Sequence, residues 1–321
     1  MDLIDKFKQA EFVKIQCDLC FGESIVVDLP TLLRLRRGIR AAAQFVLPSG
    51  QSSAAGTNRF AKLLEPTPAS DPVARRQHQK IGPAFVLQHN NNSIGSYNRG
   101  DILSLETIIW GGDIEIVRDF ILVLQALGRV GLRYDAGRFE VVAVRGENSA
   151  QQWQQVWTSG DPLETLVVPM RDGAWWLESY AIEREEVCLE FMTPARLIKN
   201  GKPLFKASFR QLFPFILRRV TAMLYGHCWV DLPLDAQGLF DTAEQLEEVT
   251  NNLRWCDWRE LHGIHRQQPL GGVNGNIVVR GNNLSELVPY IYLGSLMNLG
   301  KNAAYGAGCY VVRPMPAADI N

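Results

Sequence analysis

The sequence predicts an α+β protein made of two tandem ferredoxin-like halves, residues 1–150 and 151–321. Three observations carry that expectation. The chain has 321 residues, which suits two compact units of roughly 100–200 residues each. Apolar residues make up 46% and charged residues 21%, so wholesale disorder is excluded. The first half runs β, helix, β, β, helix, β, the order of a split βαβ unit, and the second half repeats that theme. The repeat is one of element order, without repetition of sequence.

Residues 11–19 read as a strand, and residues 24–28 bring β-branched side chains up to Pro30. Pro30 and Thr31 open a helix with Leu32, Leu33, Leu35 and Ile39 at helical spacing, running to about Phe45. Residues 47–80 are rich in Pro, Ser, Gly and Ala; so long a connection is either a functional loop or partly mobile. Strands at 82–87 and 102–109 flank a polar turn, 89–100. A helix at 116–127 ends at Gly128, and 139–145 is another strand. A linker rich in Gln, Trp and Ser, 147–161, leads into the second half. There, 188–192 is a strand, 205–225 a helix with basic ends and 239–250 a polar segment. After 254–275 come a β-rich stretch at 277–280, a helix from about Leu284 to Gly300 and a last strand at 309–313.

The formal net charge is only −1, from 33 Lys+Arg against 34 Asp+Glu. That figure alone argues against a polyanion partner, but the charges are segregated. Residues 31–82 carry Arg34, Arg36, Arg37, Arg40, Arg59, Lys62, Arg75, Arg76 and Lys80 against Glu65 and Asp71. Residues 196–219 carry Arg196, Lys199, Lys202, Lys206, Arg210, Arg218 and Arg219 with no acid, while 220–253 contain no Lys or Arg. Two basic blocks in a neutral chain can build one continuous anion-binding face with an acidic back. The competing reading makes each block the solvated side of a helix.

No apolar run of about 20 residues occurs, so no transmembrane helix is expected. The start, Met1-Asp2-Leu3-Ile4-Asp5-Lys6, lacks the basic-then-apolar order of a secretory signal. Of the six cysteines only Cys17 and Cys20 are close, and no second Cys or His pair completes a zinc set. Free thiols, a cytoplasmic location, no metal and no small-molecule cofactor are the expectation.

The most informative stretch is 293–310, Leu-Gly-Ser-Leu-Met-Asn-Leu-Gly-Lys-Asn-Ala-Ala-Tyr-Gly-Ala-Gly-Cys-Tyr. Gly300 ends a helix, Lys301 follows, and Tyr305, Gly306 and Gly308 lead into a strand. Glycines let backbone N–H groups approach phosphates, and a lysine adds point charge. This is not a Walker A loop, because Gly-Lys follows a helix and no Ser or Thr comes after Lys301. Taken alone, the stretch also fits a glycine-rich turn without a ligand.

This pattern resembles the glycine-rich signature of the RAMP superfamily, most closely the branch of CRISPR pre-crRNA-processing endoribonucleases. Phe191-Met192-Thr193-Pro194 resembles that branch's Phe-x-Thr-Pro strand end, and the helix carrying Arg218 and Arg219 follows. Trp255-Cys256-Asp257-Trp258, then Arg266-Gln267 and Leu270-Gly271-Gly272, resembles its Trp-Asp-Trp to Gly-Gly segment. Leu35-Arg36-Arg37-Gly38, Gly100-Asp101-Ile102-Leu103 and the glycines Gly128, Gly131 and Gly137 match its first domain.

The resemblance implies two RRM-like domains that clamp a CRISPR repeat RNA and cut it once, without metal, with other CRISPR effector subunits as further partners. The chemistry it implies is transesterification, in which the ribose 2′-OH attacks the adjacent phosphorus. RNA and not DNA is then the substrate, because the nucleophile belongs to the ribose. The sequence departs from the branch in its histidines. The usual base follows the first helix, yet no histidine precedes His78, and Asn298 stands where one often occurs before Gly-Lys. The remaining candidates are His78, His262 and His265, alongside Arg37 and Arg40, which share a helix face. Guanidinium is a poor general base with a pKa above about 12, so the arginines grip phosphate or stabilise its charge. RNA contacts are expected from Arg34, Arg36, Arg75, Arg76, Arg196, Lys199, Lys202, Arg218, Arg219 and the turn Gly300, Lys301, Tyr305, Gly306 and Gly308. A non-catalytic relative that holds the RNA end in an effector complex is the alternative, motivated by the absent histidines.

Overall fold

Alternation along β1 (Glu11–Phe21), which follows the short helix α1 (Leu3–Lys8), decides the layering of the first unit. Val13, Ile15, Cys17, Leu19 and Phe21 enter one hydrophobic core. Lys14, Gln16, Asp18 and Cys20 therefore take the other face, as a period of two requires. β1 pairs antiparallel with β5 (Ile102–Trp110) on one side and β6 (Phe139–Glu147) on the other. β3 (Phe85–Gln88) extends the β5 edge and β7 (Trp153–Thr158) the β6 edge, while β8 (Arg171–Asp172) adds to β1. The order β3-β5-β1-β6 is the ferredoxin-like one. The core is closed by α3 (Leu35–Val46), through Leu35, Ile39, Ala42 and Ala43, and by α5 (Ile114–Val130), through Val117, Phe120, Ile121 and Leu124.

The computed structural model describes residues 3–47, 58–66, 81–89, 93–133, 136–180, 185–232, 235–256 and 271–314. The chain divides into two units: unit 1 holds Met1–Gly173, Ala222–Asp231 and Ala304–Gly306, and unit 2 holds Ala174–Thr221, Leu232–Ala303 and Ala307–Asn321.

Several expected boundaries shift, each for a local reason. The first helix is interrupted: α2 (Leu29–Leu33) starts from Asp28, whose carboxylate accepts the Thr31 N–H at 2.9 Å. At Arg34 the N–H is shared between the Pro30 and Thr31 carbonyls, and α3 begins anew. The long connection contains α4 (Arg59–Leu64), capped by Asn58 and burying Phe60, Leu63 and Leu64. Within the polar turn, β4 (Gly95–Tyr97) pairs with β2 (Ile25–Val27). α5 runs through Gly128, where a Cβ would strike the Phe139 carbonyl, and stops at Gly131 with φ +99. The presumed linker contains β7, whose Trp157 is buried.

Unit 2 repeats the layering. β9 (Glu186–Ala195) lies between β14 (Gly272–Arg280) and β15 (Tyr310–Pro314), with β12 (Glu247–Asn251) outside β14, giving the order β12-β14-β9-β15. This matches the order in unit 1 element for element. β13 (Arg254–Cys256) adds to β14, and β10 (Ile198–Lys199) with β11 (Lys202–Pro203) forms a separate hairpin. The helices are α6 (Gly173–Glu178), α7 (Phe209–Cys228), whose residues from Ala222 onward belong to unit 1, α8 (Ala236–Gln245) and α9 (Val288–Ser295). The expected polar segment is thus α8 plus β12, and the last helix stops five residues before Gly300. Among the described residues no helix is long and apolar enough to cross a membrane.

Candidate nucleic-acid interface

In unit 1 the first basic block separates into neutralised and open charge. Arg59 ion-pairs with Asp119 of α5, and Lys62 Nζ sits 3.1 Å from Asp113, the α5 cap. Arg40 pairs with Glu65 at 2.6 Å, lies 6.0 Å from the centre of the Phe60 ring and donates to the Tyr305 hydroxyl. Arg34, Arg36 and Arg37 are exposed, and among the described residues Arg34 and Arg37 have no ion-pair partner. Arg36 acts on the Tyr305 hydroxyl through its charge. Helical spacing puts Arg36, Arg37 and Arg40 on one arc of α3. The structure makes Arg40 its fixed member and Arg36 and Arg37 its solvent-facing ones.

Tyr305 is built into the unit 1 core. It is 4% exposed, and its ring stands edge-on to Phe85 with centres 5.5 Å apart. Burial, aided by Glu65, pushes its hydroxyl up to about 12 against the pull of Arg36 and Arg40. At neutral pH the hydroxyl therefore keeps its proton and does not act as a base. Beneath it lies His89, 2% exposed, with Nε2 3.3 Å from the Tyr305 carbonyl oxygen. Burial pulls His89 down to about 4, so the ring is neutral. Gly306, at φ +88, lies on that ring, where a Cβ would overlap it. His227 Nε2 is 2.9 Å from the Gly82 carbonyl oxygen. Both described histidines are thus held by main-chain carbonyls. His78, His262, His265, Arg75 and Arg76 lie outside the described residues.

The sheet face of unit 1 opposite the α3–α5 core carries compensated charge. Lys14 reaches Glu106 and Glu147 at 3.0 Å each; burial alone would lower its pKa, but the two carboxylates hold it above the ordinary value. Arg171 meets Glu147 at 3.4 Å, and Arg145 meets Asp18 at 2.5 Å with Ser104 beside them. A face so balanced offers a polyanion little net attraction.

In unit 2 the glycine turn is closed by the Phe-x-Thr-Pro strand end. The Gly308 N–H donates to the Pro194 carbonyl at 3.0 Å, and the Cys309 N–H to Thr193 Oγ1 at 2.8 Å. The Lys301 N–H donates to the Arg196 carbonyl at 2.9 Å, and a Cβ on Gly300 would stand 2.6 Å from that same oxygen. On Gly308 a Cβ would strike the Leu299 carbonyl. Asn298 is fully buried at φ +55 and donates Nδ2 to the Ala303 carbonyl at 3.1 Å. The glycines therefore serve close internal packing, and these amides are not turned outward to a phosphate. Lys301 is the turn's exposed cation.

The second basic block also divides. Arg219 donates through Nε and Nη2 to the Met297 carbonyl at 3.1 and 3.0 Å, and burial pulls its pKa to about 10. That makes it a brace for the end of α9 and not a surface contact. Arg218 is exposed, 4.9 Å from the centre of the Phe215 ring. Lys199 and Lys202 are exposed at the tip of the β10–β11 hairpin, whose turn residues Asn200 and Gly201 have φ +51 and +77. Arg196 lies 5.7 Å from the centre of the Trp255 ring, with Nη1 3.4 Å from the Gly271 carbonyl oxygen. Composition revealed the cations; the acids, carbonyls and rings that fix half of them come from distant sequence.

Residues 189–310 match the family model of the CRISPR-associated endoribonuclease Cas6, and residues 44–169 match a family model described as an N-terminal domain. A Cas6 solved as a product complex is 17% identical, with a TM-score of 0.54 over 94% of this chain and 100% of its own. Thermus thermophilus Cas6 is 15% identical, with a TM-score of 0.51 over 95% and 99%. A chain in a partial Cas6-RT-Cas1–Cas2 complex is 13% identical, with a TM-score of 0.55 over 96% of this chain and 47% of its own. At these identities the solved structures are alike in fold. A search of curated proteins returns no match. The resemblance to CRISPR pre-crRNA-processing endoribonucleases carried by the motifs is found again on the C-terminal half.

Proposed function

We propose, starting from a C-terminal half that matches the Cas6 endoribonuclease family, that this chain binds CRISPR repeat RNA and cleaves pre-crRNA to guide RNA without a metal. The observation that carries the reading is the set of solvent-exposed cations carried by two ferredoxin-like units: Arg34, Arg36 and Arg37 in one, Lys199, Lys202, Arg218 and Lys301 in the other. In the proposed reaction the ribose 2′-OH attacks the adjacent phosphorus. A base takes its proton, a cyclic phosphate forms, and the departing 5′-oxygen receives a proton. Arg37 and Arg36 steady the phosphate charge, and Arg40, fixed by Glu65 and Tyr305, sets their helix face. His78, His262 and His265 remain the candidates for proton transfer. One structure of similar fold is part of a Cas6-RT-Cas1–Cas2 complex; other CRISPR proteins are accordingly proposed as partners.

A second reading, a subunit that holds guide RNA without cutting it, is favoured by the internal engagement of His89 and His227. Purified protein with end-labelled repeat RNA in EDTA separates the two. A single cut, abolished by 2′-deoxy substitution at the cleaved position, supports the enzyme. Retention of intact RNA supports the holder, and no affinity for repeat RNA overturns both.

A further inference from the structure

The β10–β11 hairpin stands on an aromatic base that the cleavage chemistry does not use. The Leu204 N–H closes the hairpin on the Leu197 carbonyl at 2.9 Å, so Arg196 immediately precedes it and Phe205 immediately follows. Both meet the same ring: Phe205 lies 4.6 Å from Trp255 between ring centres, and the Arg196 guanidinium 5.7 Å away. Trp255 is held in register by β13, opposite Val273. Phe205, in contrast, is 57% exposed; the sequence placed it at the start of a helix, which in the structure begins at Phe209. Lys199 and Lys202 crown the hairpin, Lys206 and Arg210 are exposed after it, and no acid interrupts residues 196–219. On β12, Glu248 accepts the Phe209 N–H at 2.6 Å and the Asn251 amide at 2.9 Å.

An exposed phenyl ring packed on a tryptophan, in a stretch of chain that carries cations and no acid, is the arrangement that single-stranded nucleic acid recognises. The ring takes the face of an unpaired base, and the cations take the phosphates on either side. We propose that Phe205 is a stacking platform for one unpaired nucleobase of the bound RNA, with Lys199 and Lys202 on the flanking phosphates; this rests on the RNA-binding reading above. Trp255 and Arg196 act behind the platform and hold its angle. Stacking on a phenyl ring tolerates any base, so the platform contributes affinity for unpaired RNA and not sequence choice.

The test uses two probes of equal length and charge, a short oligoadenylate and its abasic counterpart, titrated against the full chain by fluorescence anisotropy. The wild type should bind oligoadenylate about tenfold more tightly than the abasic strand. Phe205→Leu should abolish that preference with its melting temperature and salt slope unchanged, and Phe205→Tyr should restore it. Lys199→Ala with Lys202→Ala should weaken both probes and flatten the salt dependence. Failure of the wild type to bind either probe or repeat RNA overturns the RNA reading itself. Binding of oligoadenylate that Phe205→Leu leaves intact overturns the platform alone, and leaves that ring to a protein partner.

Discussion

Acidification should weaken the fold through the buried ring beneath Tyr305. In the folded chain His89 is held neutral, with its pKa lowered from 6.5 to about 4 by burial. In the unfolded chain the same imidazole charges as soon as the pH falls through about 6.5. Between those values the unfolded state binds the extra proton, so stability rises with pH across this window and is lost on the way down. The stabilisation is fully present above the unfolded value. At about pH 5 the gap of about 1.5 units below 6.5 corresponds to about 2 kcal/mol, at about 1.4 kcal/mol per unit. Urea unfolding at about pH 7.5 and about pH 5 should therefore show the wild type losing about 2 kcal/mol more than His89→Gln, which cannot titrate. Proton-detected NMR of the imidazoles supplies the direct reading: the resonance that disappears in His89→Gln should stay flat from about pH 7.5 to about pH 5. A midpoint near pH 6.5 for that resonance would refute the buried, neutral assignment, whatever the unfolding curves show.

Three further outcomes follow from the site. Tyr305→Phe keeps the edge-on contact with Phe85 but removes the hydroxyl that accepts from Arg40. RNA cleavage should fall about tenfold, or more, for the loss of a charge-assisted bond, while the melting temperature holds. Replacing Arg34, Arg36 and Arg37 together by Ala should reduce the slope of log affinity against log salt by about 2, at about 0.7 per phosphate released from a single strand. Gly308→Ala forces a side chain into φ +64 and against the Leu299 carbonyl. It should cost more than about 2 kcal/mol in urea unfolding, beginning from the 1–2 kcal/mol that left-handed backbone asks of a non-glycine residue.

What the sequence made legible is what depends on periodicity. The strand at β1 and the helix at α5 carry enough alternating or helical apolar positions to be read directly, and the βαββαβ order followed in both halves. Short or polar elements were not legible. β7 carries Gln154 and Gln155 between its tryptophans, and α8 begins Ala-Gln-Gly, so each looks like a connection until a neighbouring edge or helix gives it a partner. The charges behaved likewise. A basic residue announces itself in composition, but its neutralisation by Asp119, Glu65 or the Met297 carbonyl depends on tertiary contact. The glycine turn is the sharpest case. The sequence reads its glycines as room for a phosphate to approach; in the structure the space beside them is taken by the Arg196 and Leu299 carbonyls and the His89 ring.

The assignment of Ala304–Gly306 to unit 1 bears on the order in which the protein matures on the ribosome. Amino-terminal domains commonly fold while the rest of the chain is still being translated. Here the interior of the first unit waits for Tyr305, which leaves the exit tunnel only after almost all of unit 2 has been made. The nascent amino-terminal half must therefore dwell with an aromatic vacancy beside Phe85, and its final consolidation coincides with that of its younger neighbour.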